Sequence, residues 1–300
     1  MEEKIGIIGA GRLGSSLARA LCEAGCSVDA IADKIESRAK TCAAICGLST
    51  VGCTSNDLPP DLTLLILAVP DDDIPDVVSE LKESLTVSPQ TIIVHTSGAL
   101  ESDVLAPLKE KTNMLASMHP VQTFSSSSDD WQRLFGIYYG IEGHYRAIPR
   151  LRRVIARLKG KVFLVPKKKK ALYHLGCVFS SNILIAVQEA TIQIMEQTGI
   201  TDKEAVELLK PLVLATFENV QKNGTVKALT GPISRGDLGT IVHHIEELEK
   251  YLPHLLPMYV ITSLQLLTIA KIQNKVEMDK LKSIEAFLKQ KQKEWIISGE

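Results

Sequence analysis

The residues with the clearest chemical potential form a glycine-rich segment near the start of the chain. The segment Gly9-Ala10-Gly11-Arg12-Leu13-Gly14 has the spacing G-x-G-x-x-G and follows a short apolar run at residues 5–8. In that context the first glycine permits a tight turn, the second lets the backbone approach a pyrophosphate, and the third lets a helix pack on a strand. Free N–H groups at the start of that helix would bind phosphate. The sequence therefore predicts a dinucleotide site.

The end of the second predicted strand bears on which dinucleotide would bind. Asp33 lies 19 residues after Gly14, near the position of an acid that binds a ribose 2′-hydroxyl, and this favours NAD. Lys34 is adjacent and Arg38 lies one helical turn further on. These cations could bind a 2′-phosphate, which favours NADP. The residues leave both cofactors open, with a slight preference for NADP.

Polar segments follow the later predicted strands. One is Val69-Pro70-Asp71 and another is Thr96-Ser97-Gly98, while His119 follows a third strand. Ligands of open α/β sheets bind outside the carboxyl ends of the strands. We therefore expect the first two segments to cover the nicotinamide half of the cofactor, and His119 to contact the substrate.

The second half of the chain carries four polar residues on one predicted helix, at about residues 171–196. Lys170 and His174 are four residues apart and share a face, and Asn182 would lie two turns further along it. A histidine donates protons near neutral pH, so His174 is a candidate acid. Lys170 could act with a lowered pKa or stabilise a developing alkoxide. We expect Lys170, His174 and Asn182 to be catalytic, with Ser181 binding substrate.

A loop with glycine and proline holds further candidates. Arg235 and Asp237 lie in Gly231–Asp237, and an arginine there could bind a substrate carboxylate with two hydrogen bonds. The alternative is an Arg235–Asp237 pair that only braces the loop. His244 follows Asp237 by two turns and could face the same side. All three are predicted to contact substrate.

The predicted elements that position these residues change at Pro166. Before it, strand and helix patterns alternate, and residues 62–69 form a continuous apolar run typical of a strand buried on both faces. This predicts an α/β doubly wound parallel sheet of the Rossmann type over residues 1–165. Beyond it only helical patterns occur, one of them started by the capping-box sequence Thr201-Asp202-Lys203-Glu204. Residues 166–300 are therefore predicted to form an all-helical domain for substrate binding and dimerisation.

Composition excludes several classes of protein. The 300 residues include 34 basic and 35 acidic side chains and are 45% hydrophobic, which excludes a disordered chain and argues against a nucleic-acid binder. No signal-peptide pattern opens the chain, so a cytoplasmic location is expected. Residues 251–270 lack charge but contain two prolines, which favours a buried helix over a membrane span. No zinc-like ligand spacing occurs, and no metal is expected.

The motifs together resemble the two-domain family that joins a Rossmann-like NADP-oxidoreductase domain to "domain of unknown function 2520", over nearly the whole chain. They lie at residues 9–14, 69–74, 95–99, 119–124, 173–174, 180–182 and 229–237. This family is related to pyrroline-5-carboxylate reductases and to 6-phosphogluconate and β-hydroxyacid dehydrogenases. The resemblance implies NAD(P) binding, hydride transfer and a helical domain that often dimerises. Related dehydrogenases place a lysine and an asparagine four residues apart on the equivalent helix, and this chain departs from that spacing.

The sequence therefore predicts an NAD(P)-dependent oxidoreductase that transfers hydride to or from a small carbonyl, oxo-acid or imine substrate. Ketopantoate is one candidate, because ketopantoate reductases share the architecture implied by the resemblance. The alternative is a non-catalytic NAD(P)-binding sensor, because a fold does not dictate chemistry. We expect a homodimer, with neither nucleic acid nor membrane as a partner.

Overall fold

The first half of the chain forms strands because its apolar runs can be covered on both faces. Alternate residues of one strand enter different cores: Leu64 and Ile66 pack on one side of the sheet, and Leu65 and Leu67 on the other. The computed structural model describes residues 3–48, 51–52, 57–125 and 129–298. The chain folds as two units, Met1–Asn182 and Ile183–Glu300.

The sheet of the first unit has the strand order β3-β2-β1-β4-β5-β6-β7-β8. Its strands are β1 (Lys4–Ile8), β2 (Ser27–Ala32), β3 (Val51–Gly52), β4 (Leu64–Leu67), β5 (Ile92–His95), β6 (Leu115–Pro120), β7 (Tyr138–Gly143) and β8 (Lys161–Leu164). The strands from β3 to β6 are parallel, which confirms the predicted doubly wound sheet. The last two strands extend it differently, since β7 is antiparallel to β6 and β8 is parallel to β7. The strand order reverses between β1 and β4, where such sheets bind ligands.

Helices cover both faces of this sheet. They are α1 (Arg12–Glu23), α2 (Glu36–Ile45), α3 (Ile74–Ser84), α4 (Ala147–Arg157) and α5 (Lys170–Ser180), with short 3₁₀ helices at Asp71–Asp73, Ser102–Glu110, Asp130–Leu134 and Lys167–Lys169. Leu17 and Leu21 of α1 and Leu151 and Ile155 of α4 pack in the same core. Helix α3 packs on the opposite face, because Ile74 lies in the other core.

The boundary between the units lies later than the predicted change at Pro166. Helix α5 belongs to the first unit because its side chains bind the sheet loops, as described below. The prediction of one helix over residues 171–196 is wrong. The helix is interrupted at Ser181, which has φ −130° and ψ −70°, and α6 (Asn182–Glu196) begins at the next residue.

The second unit is all helical, as predicted. It contains α7 (Asp202–Ala228), α8 (Pro232–Arg235), α9 (Leu238–Tyr251), α10 (Leu256–Gln273) and α11 (Met278–Ser298), with a 3₁₀ turn at Pro253–Leu255. The predicted capping box is present, since the Thr201 side chain accepts from the Glu204 N–H and the Glu204 side chain accepts from the Thr201 N–H. Ile241, Ile284 and Leu288 form part of its core.

Two helical segments are long and apolar enough, by length and composition, to cross a membrane. They are Lys167–Glu196 and Pro253–Gln273, with only 6% and 22% of the scored windows buried. The second includes most of the segment that was predicted to be a buried helix. In α10 one face is buried, with Val260 and Leu267 in the core, while Ile261 is half exposed.

Candidate active site

The loop between β1 and α1 has the geometry that its glycines predicted. Gly9 has φ +98°, and a Cβ atom there would lie 2.5 Å from the carbonyl oxygen of Ala68. A Cβ atom on Gly14 would lie 1.8 Å from the carbonyl oxygen of Gly9. A Cβ atom on Gly11 would meet nothing within 4 Å. Two glycines are therefore required by the fold, whereas Gly11 leaves open space above the backbone.

The start of helix α1 can bind an anion. Gly11 is its N-cap and provides no side-chain hydrogen bond, and no acidic residue lies in the first turn. The backbone N–H groups of the first turn have no partner within a helix. They and the helix dipole favour negative charge at this end. The loop therefore fits the pyrophosphate of a dinucleotide.

Asp33 braces this loop from the neighbouring strand. Its side chain is only 8% exposed, and its two oxygens accept hydrogen bonds from the backbone N–H of Ala10 (2.7 Å) and of Ile35 (2.8 Å). The carboxylate thus holds the end of β2 against the glycine loop. Its predicted contact with a ribose hydroxyl stays a prediction.

Cations lie around the same loop. Arg12 and Arg38 are exposed and line a cleft of about 560 Å³ together with Ala10, Gly11 and Arg19. Lys34 instead pairs with Asp73, with 3.1 Å between Nζ and Oδ2, and this exposed pair contributes little to stability. The arginines give the cleft the charge that a phosphate-rich ligand requires.

The loops after β4 and β5 are joined to each other. The Ser97 hydroxyl donates to Asp71 Oδ2 at 2.7 Å and accepts from the N–H groups of Ala99 and Leu100. Thr96 donates from its backbone N–H to the carbonyl of Leu67, at 3.0 Å. This network fixes the segment Thr96–Gly98.

Val69 and Pro70 connect β4 to Asp71. A Cβ atom placed on Gly9 would lie 2.9 Å from Val69 Cγ1, so the Val69 side chain packs against the glycine loop. Pro70 is exposed. Both residues therefore lie beside the predicted cofactor loop, and their contacts with a cofactor stay predictions.

Lys170 is completely buried, which the run of four lysines did not indicate. Its ammonium group donates to the carbonyl oxygens of Ser97 and Leu100, each at 2.6 Å. Burial lowers the pKa of Lys170 to about 8, although the charges of Glu142, Asp71 and Glu101 oppose this shift. Because two protein carbonyls already bind the ammonium, the geometry favours a role in holding the β5 loop over the predicted role as proton donor.

Two imidazoles lie against the same loop. A Cβ atom on Gly98 would lie 2.5 Å from His174 Cδ2 and 2.9 Å from His119 Nε2. The two rings are 5.9 Å apart and nearly perpendicular. His119 Nδ1 lies 2.7 Å from the hydroxyl oxygen of Tyr173. Burial, together with the charges of His174 and Lys170, lowers the pKa of His119 to about 4. The structure thus brings predicted residues from β6 and α5 together.

Three groups nearby had no predicted role: the buried side chains of His95 and Glu142, and the partly buried side chain of Tyr173. His95 accepts from the Ser97 N–H and lies 3.3 Å from the Glu101 carbonyl, and burial lowers its pKa to about 3. Glu142 accepts from the N–H and hydroxyl of Ser102. Tyr173 was noted only as part of a motif. Polar residues inside apolar runs were the available signal for His95 and Glu142.

The break at Ser181 places Asn182 on a different helix from Lys170, so the prediction of one continuous helix face is wrong. The Ser181 hydroxyl donates to the Cys177 carbonyl at 3.0 Å and lies 2.9 Å from Asn182 Oδ1. These local hydrogen bonds accompany the helix interruption. Asn182 is exposed, and the catalytic and substrate-binding roles of the two residues stay predictions.

The second unit holds the remaining candidates. Asp237 caps α9 by accepting from the Thr240 N–H at 3.1 Å, and hydrogen bonds from Thr240 lower the pKa of Asp237. Arg235 is exposed and lies 3.9 Å from Asp237, a contact of the kind that the bracing alternative requires. His244 Nδ1 lies 2.9 Å from the Tyr259 hydroxyl. Their contacts with substrate stay predictions.

The fold and the glycine loop define a Rossmann-type protein with a helical second unit. Residues 2–120 match the model of a Rossmann-like domain, and residues 137–266 match the model of a domain of unknown function, DUF2520. The two matches confirm the resemblance to a two-domain protein of this kind that the motifs indicated. No curated protein matches this chain.

Solved structures share this fold. Protein BF3122 of Bacteroides fragilis, whose proposed activity is that of an NADP oxidoreductase, is 21% identical with a TM-score of 0.70, over 87% of this chain and 96% of its own. Protein TM1727 of Thermotoga maritima is 25% identical with a TM-score of 0.69, over 90% and 100%. A pyrroline-5-carboxylate reductase of Coxiella burnetii is 17% identical with a TM-score of 0.56, over 92% and 100%.

Proposed function

We propose that this chain is an NAD(P)-dependent oxidoreductase that transfers hydride to or from a small carbonyl, oxo-acid or imine substrate. One observation carries the proposal: the open glycine loop after β1 and the imidazoles of His119 and His174 belong to one unit and lie at the carboxyl ends of the parallel strands. A dinucleotide site and proton-handling groups at one sheet edge are the parts that a hydride-transferring enzyme needs.

The residues present fit NADP or NAD. Gly9 to Gly14 would hold the pyrophosphate, Arg12 and Arg38 would face the adenosine phosphate side, and Thr96 to Gly98 would face the nicotinamide side. When bound, the cofactor supplies or accepts the hydride. The arginines favour NADP, because a 2′-phosphate is matched by guanidinium groups. The proposed NADP oxidoreductase activity of the Bacteroides relative agrees with this preference.

The chain's own groups would manage the proton. His174 would give a proton to the substrate oxygen or nitrogen as hydride reaches carbon, and take it back in the reverse direction. His119 would contact the same atom. Hydride addition of this kind requires a C=O or C=N bond in the substrate, which supports a carbonyl, oxo-acid or imine class. Ketopantoate remains one candidate oxo acid. A pyrroline carboxylate is a cyclic imine that carries an acid group, so the Coxiella relative supports the imine alternative.

The test is cofactor binding followed by turnover. We expect NADPH to quench or shift fluorescence on titration, and Arg38→Ala to weaken NADPH binding about tenfold, the loss expected for one charge-assisted contact, while NADH binding changes little. Absorbance at the reduced nicotinamide band then reports turnover on a panel of oxo acids and cyclic imines. Arg152→Ala, an exposed arginine on α4, is the matched control.

The outcomes separate the two classes of function. Tight cofactor binding without turnover on the whole panel would favour the non-catalytic sensor. Failure to bind either dinucleotide would overturn both. Equal loss of NADPH and NADH affinity in Arg38→Ala would remove the argument for NADP.

We also propose that the chain forms a homodimer through its helical unit, in the cytoplasm. Leu208 and Leu212 of α7 lie one turn apart on the same helix face and are 58% and 63% exposed. Such a patch of large apolar side chains marks an interface when it is contiguous. We expect sedimentation to give a dimer and Leu212→Lys to shift it to monomer with unchanged helix content. Glu207→Lys is the control. A monomeric wild type, or one that binds lipid vesicles, would contradict the proposal.

A further inference from the structure

The phenol of Tyr173 contacts the imidazole of His119 across two elements. Tyr173 lies on α5 and His119 near the end of β6, and the hydroxyl oxygen and Nδ1 are 2.7 Å apart. Phe163 packs edge-on against the Tyr173 ring, with 5.4 Å between the centroids. Both partners are partly buried, so the contact is held by packing on each side.

The identity of the donor in this contact sets the tautomer of His119. Burial raises the pKa of Tyr173, which keeps the phenol protonated, and the pKa of His119 is lowered to about 4, which keeps the ring neutral at pH 7. A distance of 2.7 Å is typical of a hydroxyl donor and is short for an N–H donor. The titratable groups that act on the ring are Tyr173, His174 and Lys170.

Cys177 offers the competing arrangement. Its thiol also interacts with the Tyr173 hydroxyl. If the phenol proton went to sulfur, His119 would have to donate from Nδ1. Sulfur is a weak acceptor, whereas an imidazole nitrogen is a strong one. The Tyr173 hydroxyl therefore donates its hydrogen bond to Nδ1 of His119.

The other ring nitrogen is then a donor without a protein partner. Among the residues that the structure describes, His119 Nε2 makes no hydrogen bond. It lies beside Gly98, where a Cβ atom would be 2.9 Å away, and next to the ring of His174. A side chain at position 98 would collide with this nitrogen, so the glycine leaves the space beside it free of a further side chain.

We propose that Tyr173 is a positioning residue that fixes His119 as the neutral Nε2–H tautomer, so that His119 donates a hydrogen bond to the substrate carbonyl or imine. This inference rests on the proposed function. When hydride adds to the substrate carbon, the π electron pair moves to oxygen or nitrogen, and that atom takes a proton from His174. His119 keeps its own proton throughout and stabilises the developing negative charge on oxygen. The two histidines therefore do different work.

The first test reads the tautomer directly. In protein labelled with ¹⁵N-histidine, two-bond ¹H–¹⁵N correlation spectra at pH 7 should show His119 protonated on Nε2 only, with the signals assigned by their loss in His119→Gln. In Tyr173→Phe the His119 signals should shift toward a mixture of the two tautomers. An Nδ1-protonated or doubly protonated His119 at pH 7 would overturn the inference.

The second test asks which ring nitrogen of His119 acts as the hydrogen-bond donor, by comparing two amide substitutions of similar effect on the fold. Glutamine places its amide N–H where Nε2 lies, and asparagine places it where Nδ1 lies. We expect His119→Asn to lower kcat about 100-fold, the loss seen for one oxyanion donor, and His119→Gln to recover part of it, with NADPH affinity unchanged in both. Tyr138→Phe, an exposed tyrosine on β7, is the control for Tyr173→Phe. Equal kcat in His119→Gln and His119→Asn would contradict a donor at Nε2.

The two tests distinguish failure of this inference from failure of the proposed function. The NMR readout needs neither cofactor nor substrate, so it decides the tautomer even if no substrate is turned over. If the enzyme turns over a substrate but His119 is protonated on Nδ1, the proposed function stands and this inference is wrong.

Discussion

Alanine at position 14 is expected to abolish dinucleotide binding and to lower the free energy of unfolding by about 3 kcal/mol, the upper range for overpacking. The new Cβ atom would lie 1.8 Å from the carbonyl oxygen of Gly9, a backbone atom that can move only if β1 and α1 separate. Urea unfolding and an NADPH titration of Gly14→Ala measure the two effects. Retained NADPH affinity in this variant would show that the loop does not cradle the cofactor.

Gly11→Ala is the matched comparison, because the protein leaves space for its side chain. Nothing lies within 4 Å of a Cβ atom there, so the free energy of unfolding should fall by only about 1 kcal/mol, the typical cost of alanine at an N-cap. NADPH binding should still be lost, since the methyl group would occupy the approach of the pyrophosphate. A Gly11→Ala protein that binds NADPH like the wild type would contradict the predicted position of the cofactor.

The second large effect concerns Lys170 and pH. Its pKa is about 8 in the folded protein against 10.5 ordinarily, so between these values the unfolded chain binds the extra proton. Stability therefore rises with pH across this window, by an amount on the order of 3 kcal/mol for one group. Lys170→Met should lack this rise, and it leaves two carbonyls without a donor at a cost of about 1–3 kcal/mol each. Urea unfolding of both proteins from pH 7 to 10.5 gives the comparison.

The expected result is a stability difference between wild type and Lys170→Met that grows with pH above 8. Lys169→Met is the control, because Lys169 is the exposed neighbour in the same lysine run and its substitution should leave the pH dependence unchanged. Parallel curves for wild type and Lys170→Met would mean that Lys170 keeps its ordinary pKa.

The fold could be predicted because its signals are local. The glycines at 9 and 14 each meet a steric demand of the fold, and the apolar run at 62–69 needs two covered faces. The reversed direction of β7 could not be predicted in the same way, because strand direction depends on how a connection crosses the sheet rather than on the residues in the strand.

The site was harder to predict because the type of a residue does not reveal whether its side chain is buried. Lys170 stands in a run of four lysines that resembles a solvated turn. Lys167 of this run does pair with an acid at the surface, Asp103. Lys170 instead is buried and donates to two backbone carbonyls. The helix break had a visible signal in Ser180, Ser181 and Asn182, whose side chains compete with backbone hydrogen bonds. His119 and Tyr173 are far apart in the chain, so their contact required the folded structure.

The anchoring of α5 has a consequence for how such an enzyme could diversify. Its first residue, Lys170, is tied to the carbonyls of the β5 loop, and the chain leaves the sheet only after the bend at Ser181. His174 therefore belongs to the same unit as the sheet. Exchanging residues 183–300 for those of a relative should therefore leave the imidazoles of His119 and His174 in place beside Gly98.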